Sequence, residues 1–219
     1  MSYLLLVIIV LALGLGTQSY INSQYRKWSK VPISTRMTGA EAARRMLDAN
    51  GLAAARIDCI AGSLTDNFDP RSQVLHLSQD VYNGTSVAAT AVACHEAGHA
   101  VQHARGYTPA RVRMALVPAV NFAANIWIFL LIAGIFLNLA GLVWASIILF
   151  GVAVLFQIVT LPVEFDASHR ALETISASGV NAGELSGAST VLRAAALTYV
   201  ASTLSSVLQL LYFVGMARD

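Results

Sequence analysis

Residues 95–99 read His-Glu-Ala-Gly-His, and this stretch decides how the chain around it must fold. In an α-helix its two histidines lie on one face, about 6 Å apart along the axis. The surrounding residues 86–104 are mostly small and apolar and contain no proline, and Gly106 is typical of the position after a helix end. Three residues that favour N-caps are nearby: Asn83, Thr85 and Ser86. We therefore expect one buried helix that carries both imidazoles.

Two imidazoles with a carboxylate between them in this spacing are typical of a zinc hydrolase. His95 and His99 would bind the ion, whereas Glu96 points off the line of the two rings, where it can reach a water beside the metal. We predict that Glu96 is the general base. A buried polar cluster without a metal is the alternative interpretation of the same three residues.

A catalytic zinc site takes three protein ligands and leaves one position open. His103 lies two turns beyond the first histidine, too far to share the ion, and a longer histidine motif would need histidine where the chain has Arg105. The third ligand must therefore come from elsewhere. Residues 161–168, Leu-Pro-Val-Glu-Phe-Asp-Ala-Ser, place two acids at the end of a long apolar segment. We choose Glu164 and keep Asp166 as the alternative.

These two stretches resemble the YugP-like neutral zinc metallopeptidases, which are bacterial membrane proteases related to the HtpX-like proteases and the CAAX prenyl proteases. In the wider group the third ligand is the glutamate of a Glu-x-x-Ala-Asp element, which Glu164 and Ala167 match here. Ser168 replaces the final acid, and Asp166 is a candidate for that acid's supporting role. The similarity covers nearly the whole chain, including residues 38–43, 68–71 and 194–200.

The resemblance implies a membrane-embedded endopeptidase with a single zinc ion and a gluzincin ligand set of two histidines and a distant glutamate. Its substrate would be a peptide or a membrane protein. Glu96 would take a proton from a water activated by the metal and pass it to the leaving amine. Candidates for a donor to the oxyanion are His169, Arg170 and Tyr199, although each also has a simpler interpretation as a packing or interfacial residue.

Composition independently indicates a membrane protein. Hydrophobic residues make up 56% of the chain and charged residues only 12%, about half the usual share in soluble domains. We interpret the first apolar segment as an anchor and not as a removed signal peptide, because no clear cleavage site follows it. Four segments are long and apolar enough to span a bilayer: residues 3–21, 116–137, 140–161 and 191–216.

Two predicted spans separate the histidines from Glu164, so both parts of the site emerge on the same side of the membrane. The turn between these spans, residues 138–141, carries no Lys or Arg. Basic residues flank the spans on the side of the site: Arg26, Lys27, Lys30, Arg111, Arg113 and Arg170. By the positive-inside rule we expect a bacterial inner-membrane protein whose site faces the cytoplasm and whose termini both lie outside.

We expect one domain over residues 1–219, a mainly α, four-span helical membrane protein with a small zincin-like α+β metallopeptidase domain. Residues 22–115 would form the soluble catalytic region, completed by residues 162–190. A helix is expected to begin at Glu164 and to run to about residue 176. Two capping boxes open further helices: Thr38 with Glu41, and Asn181 with Glu184.

Residues 56–59 and 73–77 are predicted to form short strands around a turn at residues 69–72. By analogy with related proteases, one of these strands would run along the active-site helix and pair with the extended substrate backbone. We expect Cys59 and Cys94 to be free thiols, because they are not closely spaced and the compartment is reducing.

Other classes of function are less consistent with the sequence. A net charge of +2 and the lack of a nucleic-acid motif argue against nucleic acid as a partner, which leaves the lipid bilayer and an oligomer or larger membrane complex. His76 and His103 are interpreted as ordinary surface or core histidines. A transporter would need more ionisable residues in its spans. A catalytically inactive zinc-containing adaptor or scaffold is the main alternative.

Overall fold

The long helices dominate the computed structural model, which describes residues 3–218. The fold is mainly α with a small sheet, as the sequence predicts. Within the described range, four helices are long and apolar enough to cross a membrane, and they are α1, α5, α6 and α7. In chain order the elements are α1 (Tyr3–Trp28), α2 (Gly39–Ala49), β1 (Arg56–Ile60), β2 (Asn67–Asp69), β3 (Val74–Ser78), α3 (Gln79–Tyr82), α4 (Val87–Ala104), α5 (Thr108–Phe136), α6 (Ala140–Ala177) and α7 (Ala182–Met216).

Helix α6 is a single element of 38 residues. At 1.5 Å per residue it is about 57 Å long, nearly twice the roughly 30 Å hydrocarbon core of a bilayer. The prediction that a new helix begins at Glu164 is therefore wrong, because α6 passes through Pro162 without a break. Two side chains from other segments contact α6 at this point: Gln102 donates to the Val163 carbonyl at 2.7 Å, and Tyr107 donates to the Pro162 carbonyl at 3.5 Å.

The long helices pack in the spatial order α5, α6, α7, α1. A tight turn joins α5 to α6, with Asn138 in a left-handed conformation (φ 53°), as predicted for residues 138–141. The apolar cluster that holds these helices together contains Trp127, whose ring centroid lies 4.7 Å from that of Phe150. Large apolar side chains on the outer faces are exposed, for example Phe129 and Phe136, as expected of surfaces that meet lipid.

The part of the fold outside the four long helices is built around α4, which packs against α2, α6 and α7. Beside it lies a three-stranded sheet in the order β1, β3, β2, with β1 parallel and β2 antiparallel to β3. The core between these elements consists of completely buried side chains, among them Met46, Leu47, Leu75, Leu77 and Val101.

Both predicted capping boxes are confirmed, and Thr38 illustrates the geometry: its hydroxyl accepts from the Glu41 backbone while the Glu41 carboxylate accepts from the Thr38 backbone. The two predicted strands are present as β1 and β3. Strand β2 and the short helix α3 are not predicted. Asparagine and aspartate disfavour strands, so only pairing with β3 reveals β2.

Candidate metal centre

Helix α4 carries both histidines and lies close to α6. Ser86 caps the helix by accepting from the Ala89 backbone at 3.2 Å, so the sequence signal for its start is confirmed. Gly98 faces α6, and a Cβ atom added there would lie 2.8 Å from the carbonyl oxygen of Ala167. Glycine therefore permits the close approach that places Glu164 beside the two imidazoles.

The structure brings His95, His99 and Glu164 together across 69 positions of sequence. One ligand atom from each residue lies within 4.8 Å of the others. Glu164 Oε2 is 3.3 Å from His95 Nε2 and 3.7 Å from His99 Nε2. Asp166, the alternative third ligand, is not part of this group.

This donor set suits zinc. Two imidazole nitrogens and one carboxylate oxygen are among the ligands that catalytic zinc sites use, and three protein ligands leave one position open. Glu164 is only 2% exposed, and a carboxylate so deeply buried needs compensating positive charge. Burial lowers the pKa of His99, but contact with Glu164 and the nearby charge of Glu96 outweigh that effect, so its pKa lies above the ordinary value. The site thus favours a cation.

The far side of each imidazole has its own partner. Ser168 Oγ lies 3.1 Å from His95 Nδ1, and Gln102 Oε1 lies 3.1 Å from His99 Nδ1. If each Nδ1 carries the proton and donates to that oxygen, each Nε2 keeps a lone pair that points into the site. These contacts fix both ring orientations before any ion is bound.

Gln102 connects the two helices of the site. Its side chain is 1% exposed, and its Nε2 donates to Asp166 Oδ2 and to the Val163 carbonyl, both at 2.7 Å. Asp166 therefore reaches His99 only through Gln102, whereas Ser168 itself contacts His95. Ser168 is thus the residue that contacts a histidine directly, and Asp166 acts at most through Gln102.

The site opens into a cavity of about 330 Å³ that Glu96 lines. In the part of the chain that the structure describes, the Glu96 carboxylate forms no hydrogen bond or ion pair, although its charge acts on His99, so it is free to act on a bound molecule. Tyr199 of α7 lines the same cavity. The other two predicted oxyanion donors do not: Arg170 pairs with Asp166 at 2.7 Å, and His169 pairs with Glu173 at the surface.

Three further features of the cavity are missed by sequence reasoning. Arg113 places Nη1 3.7 Å from Glu164 Oε1, the carboxylate oxygen that faces away from the histidines. Gln102 follows His99 by three residues, so the two side chains lie on the same face of the helix. This spacing is a sequence signal that could have identified Gln102 as a partner of His99. Strand β2 contributes Asn67 and Phe68, and the Phe68 ring lies 5.9 Å from that of His103, which lines the cavity without joining the metal-binding group.

A group of residues able to hold a metal ion, together with four helices long and apolar enough to cross a membrane, defines the class of this molecule as a membrane metalloprotein. Residues 3–218 match a protein family described as "Putative neutral zinc metallopeptidase", and the chain belongs to that family. Zinc is accordingly its cofactor. The chain is also 45% identical over 215 residues to a Bacillus subtilis protein described as "Putative membrane protease YugP", covering 98% of this chain and 96% of that relative. No solved structure shows significant similarity.

Proposed function

We propose that the protein is a membrane-bound zinc endopeptidase of the gluzincin type, in which His95, His99 and Glu164 hold the metal and Glu96 is the general base. One observation carries this proposal. The ligand atoms of His95 and His99 on α4 and of Glu164 on α6, two helices far apart in sequence, converge in the same cavity that the Glu96 carboxylate lines. Family membership supports a protease, and the donor geometry supports the assignment of residues.

Zinc bound by these residues supplies a Lewis acid that polarises the scissile carbonyl and makes a water easier to deprotonate. Glu96 takes the proton from that water and later delivers it to the leaving amine. Ser168 and Gln102 keep the imidazoles oriented throughout. We assign the oxyanion donor to the Tyr199 hydroxyl, because Tyr199 is the predicted donor that lines the cavity.

We assign substrate alignment to β2, which is an edge strand beside α4 and borders the cavity. The predicted alternatives are less suitable: β3 is paired on both sides, and β1 lies at the opposite edge of the sheet. An extended peptide that pairs with the free edge of β2 would lie next to Glu96.

We propose a bacterial inner-membrane location with the site in the cytoplasm and both termini outside. Basic residues lie at the end of α1, at the beginning of α5 and in the C-terminal part of α6. Those of α5 and α6 are near the metal-binding group, which favours a cytoplasmic site by the positive-inside rule. The α5–α6 turn carries none. We treat residues 1–219 as one catalytic domain, of which residues 1, 2 and 219 lie outside the described range.

The decisive comparison is zinc-loaded wild-type protein against Glu96→Gln in detergent micelles, with an unfolded casein-like substrate. Loss of a general base should lower kcat by about 10²–10⁴-fold. The zinc content should not change, because Glu96 is not a ligand. Equal rates would exclude Glu96 as the base, and inactivity of both proteins with zinc retained would favour a catalytically inactive adaptor.

A further inference from the structure

One half of the cavity is apolar and has no task in the proposed chemistry. Its walls are Met114 and Val117 from α5 and Phe156 from α6. The whole cavity measures about 330 Å³, within the range of roughly 300–1,000 Å³ that is usual for small-molecule sites. Such a space is much larger than a single reacting water needs.

The apolar half is continuous with the metal-binding group and extends toward the membrane-spanning parts of the helices. Phe156 lies two helical turns before Glu164 on α6, about 12 Å along the axis. Arg113 marks the boundary between the two halves, with its guanidinium 5.9 Å from the centre of the Phe156 ring and 3.7 Å from Glu164. A peptide bound at the polar half would thus have a neighbouring side chain within reach of the apolar half.

The helix packing explains why this space exists. Helices α5 and α7 both pack on α6, and the cavity between them is lined by Val117 of α5, Tyr199 of α7 and Phe156 of α6. On the adjoining surface of α6, Leu155 and Ile158 are exposed. The apolar half thus lies beside surfaces that are suited to lipid and to apolar polypeptide segments.

We propose that this apolar half binds one large apolar side chain of the substrate, next to the peptide bond that is hydrolysed. The inference rests on the endopeptidase function proposed above and adds a substrate class: polypeptide segments rich in Leu, Ile, Val or Phe, such as the ends of membrane-spanning segments. Apolar contacts in such pockets discriminate between side chains by roughly 10–200-fold. A charged side chain would lose its hydration there and find Arg113 already paired.

Binding can be measured without catalysis by using the zinc-loaded Glu96→Gln protein in micelles. The probes are fluorescent polar host peptides that differ at a single guest residue, which is Leu, Phe, Ala, Ser or Glu. We expect the Leu and Phe peptides to bind roughly 10–200-fold more tightly than the Ser and Glu peptides. Fluorescence anisotropy gives each dissociation constant.

Two variants test whether the cavity causes this preference. Val117→Phe fills the apolar half, and Phe156→Ala removes part of its wall without adding bulk. Each should abolish most of the preference for Leu and Phe while the Ser peptide binds as before and zinc is retained. Val112→Phe is the matched control, because it makes the same change on the same helix at a residue that is 42% exposed and outside the cavity.

Equal affinity for the Leu and Ser peptides, or a preference that survives both cavity variants, would overturn the inference. Cleavage of the same peptides by wild-type protein separates it from the proposed function. Cleavage without side-chain preference contradicts the inference alone. A binding preference without any cleavage contradicts the endopeptidase function and leaves an apolar peptide-binding cavity.

Discussion

Replacing Gln102 with Leu tests whether the buried amide orients the site. The substitution keeps the volume but removes the acceptor for His99 Nδ1 and the donors to Asp166 and the Val163 carbonyl. Asp166 keeps its ion pair with Arg170, and the Val163 carbonyl keeps its bond within α6, so His99 Nδ1 is the group left without a partner. At about 1–3 kcal/mol for an unsatisfied buried group, the free energy of unfolding should fall by about 1–3 kcal/mol.

Zinc affinity should fall as well, because His99 loses the contact that fixes its ring. Loss of such a supporting partner typically lowers metal affinity by about 10–100-fold, which competition with a chromogenic chelator can measure. Gln157→Leu is a suitable control, since the Gln157 Oε1 atom is buried without a hydrogen-bond partner in the described part of the chain. Wild-type zinc affinity in Gln102→Leu, or an equal loss in the control, would refute the assigned role.

Further substitutions and labelling test other parts of the account. Gly98→Ala should destabilise the protein by about 1–3 kcal/mol in thermal unfolding, because the added Cβ meets backbone of α6, whereas Gly14→Ala has open space and should not. Burial raises the pKa of Cys94 to about 12, so an alkylating reagent at pH 8 should modify the exposed Cys59 and leave Cys94 unmodified until the protein unfolds. Mass spectrometry measures both, and alkylation of Cys94 in the folded protein would contradict the prediction. Tyr199→Phe should lower kcat by about 10²-fold or more with little change in KM or zinc content, and an unchanged kcat would remove the hydroxyl from the reaction.

The sequence predicts the parts of the fold that local patterns determine. Apolar length predicts the four long helices, and the capping residues Thr38 and Asn181 predict two helix starts that the structure confirms. Both thiols are free, as expected from the spacing of Cys59 and Cys94. The boundary predicted at Glu164 is wrong because α6 continues through Pro162, which sequence alone marks as a helix end.

The candidate site is predictable only in part. The histidine spacing and the distant acid identify the three residues that the structure brings together, but their role as zinc ligands stays a prediction. Arg113 and strand β2 reach the cavity through packing of distant segments, which no local pattern reveals. The sequence marks Ser168 only as a departure from the resembled motif, and the contact of its hydroxyl with His95 Nδ1 becomes visible only in the structure.

Zinc content, together with the zinc X-ray absorption spectrum, tests the central claim most directly when Glu164→Ala is compared with Asp166→Ala. We predict a single zinc ion bound through two imidazoles and a carboxylate in the wild-type protein, retained in Asp166→Ala and lost or greatly weakened in Glu164→Ala. An unchanged spectrum and zinc content in Glu164→Ala would contradict the proposed ligand set.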